Sequence, residues 1–125
     1  MVLFDTTVMV DALRNNKDAL STIEAYSGEE LLATSIITKY EVMRGVTKKG
    51  ANIAAELLER FVILDFDEAA LVEAVKIYQL LSEKGRMISE LDVMIAAIAI
   101  ANDEVLITRD KDFANLNNSK IIVLK

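Results

Sequence analysis

Val2-Leu3-Phe4-Asp5-Thr6-Thr7-Val8 opens the chain with an apolar run that meets a lone carboxylate and then gives way to a helical pattern. Three apolar residues stopped by an acid read as a short buried strand, Val2 to Phe4, and the spacing from Thr7 to Tyr26 reads as helix. The alternation recurs down the chain. Leu31 to Thr34 reads as a strand, with helices over Ile36 to Val46 and Asn52 to Arg60. Phe61 to Asp65 is a predicted strand and Glu68 to Lys84 a helix opening at an Asp67 cap. Glu90 to Ala101 follows as a helix, Val105 to Thr108 as a strand and Ile121 to Leu124 as a last strand. Strand then helix, repeatedly, implies an α/β fold with a parallel sheet covered by helices on both faces. Proline is absent and glycine occurs only at Gly28, Gly45, Gly50 and Gly85, so no linker divides the 125 residues and one domain over 1–125 is expected.

Apolar residues make up 53% of the chain and charged residues 27%, the balance of a soluble globule. The longest apolar run, Val93 to Ala101, falls well short of the roughly 20 residues that a membrane-spanning helix needs. No membrane span is expected. Met-Val-Leu-Phe-Asp at the start has no basic n-region, and a cytoplasmic location is the expectation. Histidine and cysteine are both absent. Without imidazole or thiolate there is no Ser-His-Asp triad, no cysteine nucleophile and no ordinary zinc site, so strong chemistry must come from carboxylates and oxygen-loving metals. The net charge of −6 has the wrong sign for a simple nucleic-acid binder. Carboxylates gathered in one site would account for much of the excess, and bound divalent ions would reverse the local field.

In parallel α/β sheets the ligand crevice lies beyond the carboxyl ends of the strands. Asp5 ends the first strand and Asp110 follows the Val105–Thr108 strand, while Glu41 and Asp92 lie in helices entered from that rim. Each has a purely structural reading beside the functional one. Asp5 could be the N-cap of the helix near Thr7, with Thr6 and Thr7 supplying hydroxyls either to that cap or to a metal-bound water. Glu41 sits at the edge of an apolar stripe of Ile36, Ile37, Tyr40 and Met43, and could simply pair with Arg44 or Lys48 on the surface. Asp92 heads a helix that is apolar from Val93 to Ala101, and Ser89-Glu90-Leu91-Asp92 permits a capping box as well as a ligand role. Asp110 is favoured over Asp112 as the acid nearest the strand end, with Asp112 fixing the turn and Phe113 packing inward. Four acids at one sheet edge are better explained by one site than by four coincidences. Clustered carboxylates repel unless a cation neutralises them, and Mg2+ or Mn2+ is the expected ion.

Four segments carry a family resemblance: Phe-Asp-Thr-Thr-Val-Met-Val-Asp at 4 to 11, Ser-Ile-Ile-Thr-Lys-Tyr-Glu-Val-Met-Arg-Gly at 35 to 45, Glu-Leu-Asp-Val-Met-Ile-Ala-Ala at 90 to 97, and Leu-Ile-Thr-Arg-Asp-Lys-Asp-Phe at 106 to 113. In that order they resemble a PIN domain, and in particular the VapC-type toxins of prokaryotic toxin–antitoxin pairs. The resemblance implies a three-layer α/β/α sandwich with a central parallel sheet, often dimeric. It implies that Asp5, Glu41, Asp92 and Asp110 are the magnesium-binding and catalytic residues of a single-strand-specific ribonuclease. Glu90 matches a position often acidic in the family and is an outer-shell candidate beside Thr6, Thr7 and Asp112. In many relatives the position of Asp110 is asparagine, with the acid two residues later, which leaves the roles of Asp110 and Asp112 open. The resemblance also implies a small antitoxin protein that pushes a basic side chain into the acidic site. For RNA contact, Arg44 and Arg109 stand out because they adjoin the proposed ligands. Apolar positions over Ala54 to Leu58 and Ala70 to Leu81 suggest a homodimer.

Two other functions fit parts of this pattern. An aspartyl-phosphate phosphohydrolase also begins with an acid after the first strand, but its second acid two residues on is Thr7 here. A non-catalytic RNA- or protein-binding module would keep the fold without using the acids.

Overall fold

The computed structural model describes all 125 residues. Strands β1 (Val2–Phe4), β2 (Leu32–Ser35), β3 (Val62–Leu64), β4 (Val105–Thr108) and β5 (Ile121–Val123) form one sheet in the order β3-β2-β1-β4-β5. Every pairing is parallel, with Val2 opposite Leu32 on one side and opposite Val105 on the other. Because strand side chains alternate, the sheet feeds two cores. Leu3, Ala33 and Leu106 pack with helices α5 (Glu68–Lys84) and α6 (Glu90–Ala101). Val2, Phe4, Leu32 and Ile107 pack with α1 (Thr6–Leu13), α2 (Lys17–Ser27) and α4 (Ala51–Glu59). The result is the expected three-layer α/β/α sandwich. Every buried side-chain nitrogen and oxygen has a hydrogen-bond partner. No helix is long and apolar enough to cross a membrane.

The strand order makes β1 a switch point. From β1 the chain runs outward to β2 and β3, then returns to place β4 on the opposite side of β1. Crossovers therefore diverge between β1 and β4, and it is beyond the carboxyl ends of such a pair that parallel sheets take their ligands. Asp5 and the Thr108–Asp110 segment stand at that edge.

Two expectations about helices are corrected. The stretch from Thr7 to Tyr26 is not one helix, because Asn15 takes a left-handed conformation, φ 59°, and ends α1. Asn16 then caps α2, its side-chain oxygen accepting the Ala19 N–H at 3.0 Å. Asparagine tolerates the left-handed region and serves as an N-cap, so adjacent asparagines turn the chain sharply. Helix α3 (Ile36–Gly45) also turns differently from its apolar stripe: Ile36, Tyr40 and Met43 are exposed, while Thr38 and Val42 are buried. Ser35 caps α3 through the Thr38 N–H at 2.9 Å, and the Thr38 hydroxyl donates to Thr6 Oγ1 at 3.1 Å, whose own proton goes to Glu41. These bonds fix a polar face inward against α1 and leave part of the stripe outside.

Helix α5 keeps its expected bounds, with the Asp67 carboxylate accepting the Ala70 N–H at 2.9 Å and Gly85 ending it in the left-handed conformation, φ 64°. The apolar positions expected to form a dimer patch divide. Ala54, Leu58, Ala70, Ala74, Ile77 and Leu81 belong to the chain's own cores, whereas Leu71, Val75 and Tyr78 face outward. After β4 a short 3-10 helix over Lys111–Leu116 buries Phe113 completely, as its inward packing required.

Replacing Phe113 with alanine would leave a cavity beneath this 3-10 helix and should cost about 3–5 kcal/mol in urea unfolding. Asp67→Ala, which removes only a cap, should cost about 1 kcal/mol in the same measurement.

Candidate active site

Asp5 is the last residue before α1 and is only 1% exposed. Its Oδ1 accepts the Thr7 hydroxyl at 2.6 Å and the Val8 N–H at 3.2 Å, while Oδ2 accepts the hydroxyl of Thr108. Both hydroxyls are held by backbone donors from the loop after β4. The Arg109 N–H donates to Thr7 Oγ1 at 2.9 Å, and the Asp110 N–H donates to Thr108 Oγ1 at 3.0 Å. A hydroxyl that already accepts from an N–H keeps its own proton free to donate, so both point their protons at Asp5. The capping reading of Asp5 holds, and the same residue stands at the carboxyl edge of the sheet. Burial raises its carboxyl to about 6, against the lowering effect of bonds from Thr108, Thr7 and the Val8 N–H, with the charge of Asp92 adding to the rise.

Asp92 stands in the first turn of α6, whose cap is Ser89, the Ser89 hydroxyl accepting the Asp92 N–H at 3.2 Å. The other half of a capping box is not formed, since the Ser89 N–H makes no bond to the Asp92 carboxylate. The carboxylate is left for another use. Burial raises its pKa, the Ser89 hydroxyl opposes the rise, and the charges of Asp110, Glu41 and Asp112 add to it.

Glu41 reaches the same region from α3. Its Oε1 accepts the Thr6 hydroxyl at 2.8 Å, and Arg44 Nη2 lies 3.6 Å from its Oε2. The surface pair expected from the sequence is therefore present, with the Arg44 guanidinium also 5.1 Å from the centroid of the Tyr40 ring. Asp110 caps the 3-10 helix, its Oδ1 accepting the Asp112 N–H at 2.9 Å. The expected division of labour is thus partly reversed, because Asp110 rather than Asp112 fixes the turn. Asp112 is exposed and retains a free carboxylate.

Two residues sit elsewhere than expected. Glu90 makes no hydrogen bond to the other acids and lines a separate hollow with Phe66, Tyr78 and Met94. Arg109 extends its guanidinium toward the α1–α2 junction, with Nη1 3.2 Å from Asp11 Oδ2 and 2.8 Å from Asn16 Oδ1. Thr108 was not singled out from the sequence although it holds Asp5 directly. A threonine closing a strand two residues before an acid was the available signal.

The donor chemistry suits a hard divalent cation: the candidates are carboxylates and hydroxyls, and the chain has neither histidine nor cysteine. Asp5 Oδ2 carries one hydrogen bond and retains a lone pair. No three carboxylates stand close enough to ligate one ion together as the side chains lie. An ion here would take few carboxylates directly and complete its shell with water, which is the habit of Mg2+.

A folded-state pKa of about 6 against an ordinary 3.8 means that the folded protein binds this proton more tightly. Stability from Asp5 is then greatest below about pH 4 and is lost as pH rises toward 6, by up to about 3 kcal/mol. Asp5→Asn keeps an oxygen for Thr7 and Val8 but sets an amide NH2 against the Thr108 hydroxyl, so it should be less stable than the parent near pH 4 and should lose no further stability toward pH 6. Urea unfolding across pH 3.5–7.5 would check this, with the parent's stability falling over that range and the variant's staying flat.

Comparison with known proteins gives this geometry a family. The PIN domain model matches residues 2–118. Ribonuclease VapC1 of Methanocaldococcus jannaschii is 32% identical over 111 residues, covering 88% of this chain and 76% of that protein. Ribonuclease VapC3 of the same organism is 30% identical over 96 residues, covering 77% of this chain and 95% of that protein. Among solved structures, a chain of a toxin–antitoxin complex from Klebsiella pneumoniae superposes with a TM-score of 0.84 at 27% identity, covering 98% of this chain and 97% of that one. With its five-stranded parallel sheet and a family model that matches residues 2–118, the chain belongs to the PIN-domain family, among its VapC-like members.

Proposed function

We propose that this protein is a divalent-metal-dependent endoribonuclease that cleaves single-stranded or structured RNA, acting through residues 1–125 as one PIN-like unit. The observation that carries the reading is the buried Asp5 carboxylate, held by Thr7, Val8 and Thr108 at the carboxyl edge of the sheet, with Glu41 held by the neighbouring Thr6 hydroxyl, in a chain that matches the PIN domain. Such an arrangement is costly unless a cation and a phosphate use it. Asp5, Glu41, Asp92 and Asp110 are the proposed catalytic and metal-holding set, with Asp112 the alternative to Asp110. Bound there, Mg2+ or Mn2+ would offset the charge of the phosphodiester and make water a better nucleophile. The protein's part is positional. Thr7 and Thr108 fix the Asp5 carboxylate, Thr6 fixes Glu41, and the Ser89 cap sets the direction of Asp92. Attack of water on phosphorus, with departure of the 3'-oxygen as a hydroxyl, leaves a 5'-phosphate and a 3'-hydroxyl.

VapC1 and VapC3 are named as ribonucleases, and the Klebsiella neighbour is part of a toxin–antitoxin complex. On that basis we assign this chain the role of a cytoplasmic toxin held by a small antitoxin that inserts a basic side chain among the acids. A homodimer fits the outward apolar side chains Leu71, Val75 and Tyr78 of α5 with Tyr40 and Met43 of α3.

Asp5→Asn and Asp92→Asn should each lower cleavage of a labelled single-stranded RNA by at least about 100-fold while the circular dichroism spectrum stays unchanged. Cleavage in excess EDTA, or full activity in either variant, would defeat the proposal. Calorimetric titration with Mn2+ separates the last two acids: whichever of Asp110→Asn and Asp112→Asn weakens binding more is the ligand.

A further inference from the structure

The segment from residue 39 to residue 50 carries Lys39, Arg44, Lys48 and Lys49 against one acid, Glu41, in a chain with 20 acidic and 14 basic residues. The charge of the whole molecule is locally reversed there. The folded chain gives this segment a shape. Between α1, α3 and the turn into α4 runs a groove of about 340 Å3, lined by Arg14, Glu41, Thr47 and Gly50 among others. Lys48 and Lys49 are the two residues between its lining residues Thr47 and Gly50. Arg14, Lys48 and Lys49 are exposed and take part in no ion pair or side-chain hydrogen bond, whereas Arg109 is committed to Asp11 and Asn16. Arg44 is 54% exposed and touches Glu41 only at 3.6 Å.

Glu41 joins this groove to the surroundings of Asp5, because it lines the groove and accepts the hydroxyl of Thr6, the residue next to Asp5, at 2.8 Å. We infer that the groove binds the sugar–phosphate backbone of the RNA strand on one side of the scissile bond, an inference that rests on the ribonuclease reading. Free lysine and arginine heads along a groove neutralise successive phosphates and carry no base information. Arg14, Lys48 and Lys49 would therefore hold RNA of any sequence, and Arg44 would exchange its weak contact with Glu41 for a phosphate. This moves the substrate contact from Arg109, which is committed to Asp11 and Asn16, to the groove between α1 and α3. A protein partner would find the same groove, but unpaired cations favour a polyanion.

The test uses the full chain and a fluorescein-labelled oligouridylate, with Ca2+ in place of Mg2+, and reads anisotropy across a range of salt. Arg14→Ala and the double variant Lys48→Ala/Lys49→Ala should each raise Kd roughly 3- to 10-fold, and the log–log salt slope should fall by about 0.7 per lost phosphate contact. Lys84→Ala, at the end of α5, should change neither. Because the altered side chains are exposed, unfolding midpoints should stay within error of the parent. If the parent binds and cleaves RNA while the groove variants keep its affinity and slope, the inference falls and the groove is left to a protein partner. If the parent neither binds nor cleaves RNA, the ribonuclease reading itself falls.

Discussion

Burying one carboxylate at the carboxyl edge of a parallel sheet constrains everything around it. Asp5 has almost no access to bulk water, so each of its oxygens needs a donor from the protein. Val8 and Thr7 answer from α1, and Thr108 answers from β4 across the switch point. Backbone N–H groups of Arg109 and Asp110 hold those two hydroxyls in turn. The loop after β4 is thereby set by the same carboxylate that it supports. Hydrogen bonds to a charged group are among the stronger ones in proteins, yet here they do not outweigh burial, and the carboxyl remains harder to ionise than usual.

The second layer of this construction is α3. Ser35, Thr38, Thr6 and Glu41 form a run of polar contacts where a helix would ordinarily bury aliphatic side chains. This fixes the rotation of α3, aims Glu41 at Thr6 and leaves Ile36, Tyr40 and Met43 outside. Exposed apolar surface and an inward carboxylate are two results of the same rotation.

Much of the fold was legible because local signals agreed with one another. Helices α5 and α6 have strong caps at Asp67 and Ser89 and no competing breaker, and their bounds match expectation. The strand–helix alternation likewise predicted the parallel sheet. Where two readings competed, periodicity alone misled. Asn15 and Asn16 interrupt a helical pattern through backbone preference, which an apolar count does not weigh. In α3 the apolar stripe was outvoted by hydroxyls whose partners, Thr6 and Ser35, lie on other elements. The candidate site was legible as positions: Asp5 ends β1 and Asp110 follows β4, neighbouring strands whose carboxyl ends lie side by side, while Glu41 and Asp92 lie in helices. Side-chain direction was not: Arg109 turns to Asp11 and Asn16, Glu90 lines another hollow, and Asp110 spends one oxygen on a cap.

Seen from outside, the corner at Arg14-Asn15-Asn16 has the marks of a tolerant surface joint, with an exposed asparagine at positive φ between two short helices. Its chemistry says otherwise. Asn16 spends its side-chain oxygen both on the start of α2 and on the Arg109 guanidinium, so the joint is tied to the segment that orients Thr7. Lengthening this corner, or fusing a tag or domain into it, would disturb the bonds around Asp5 from a distance, and grafting experiments on this scaffold are better directed to the turn at Gly28.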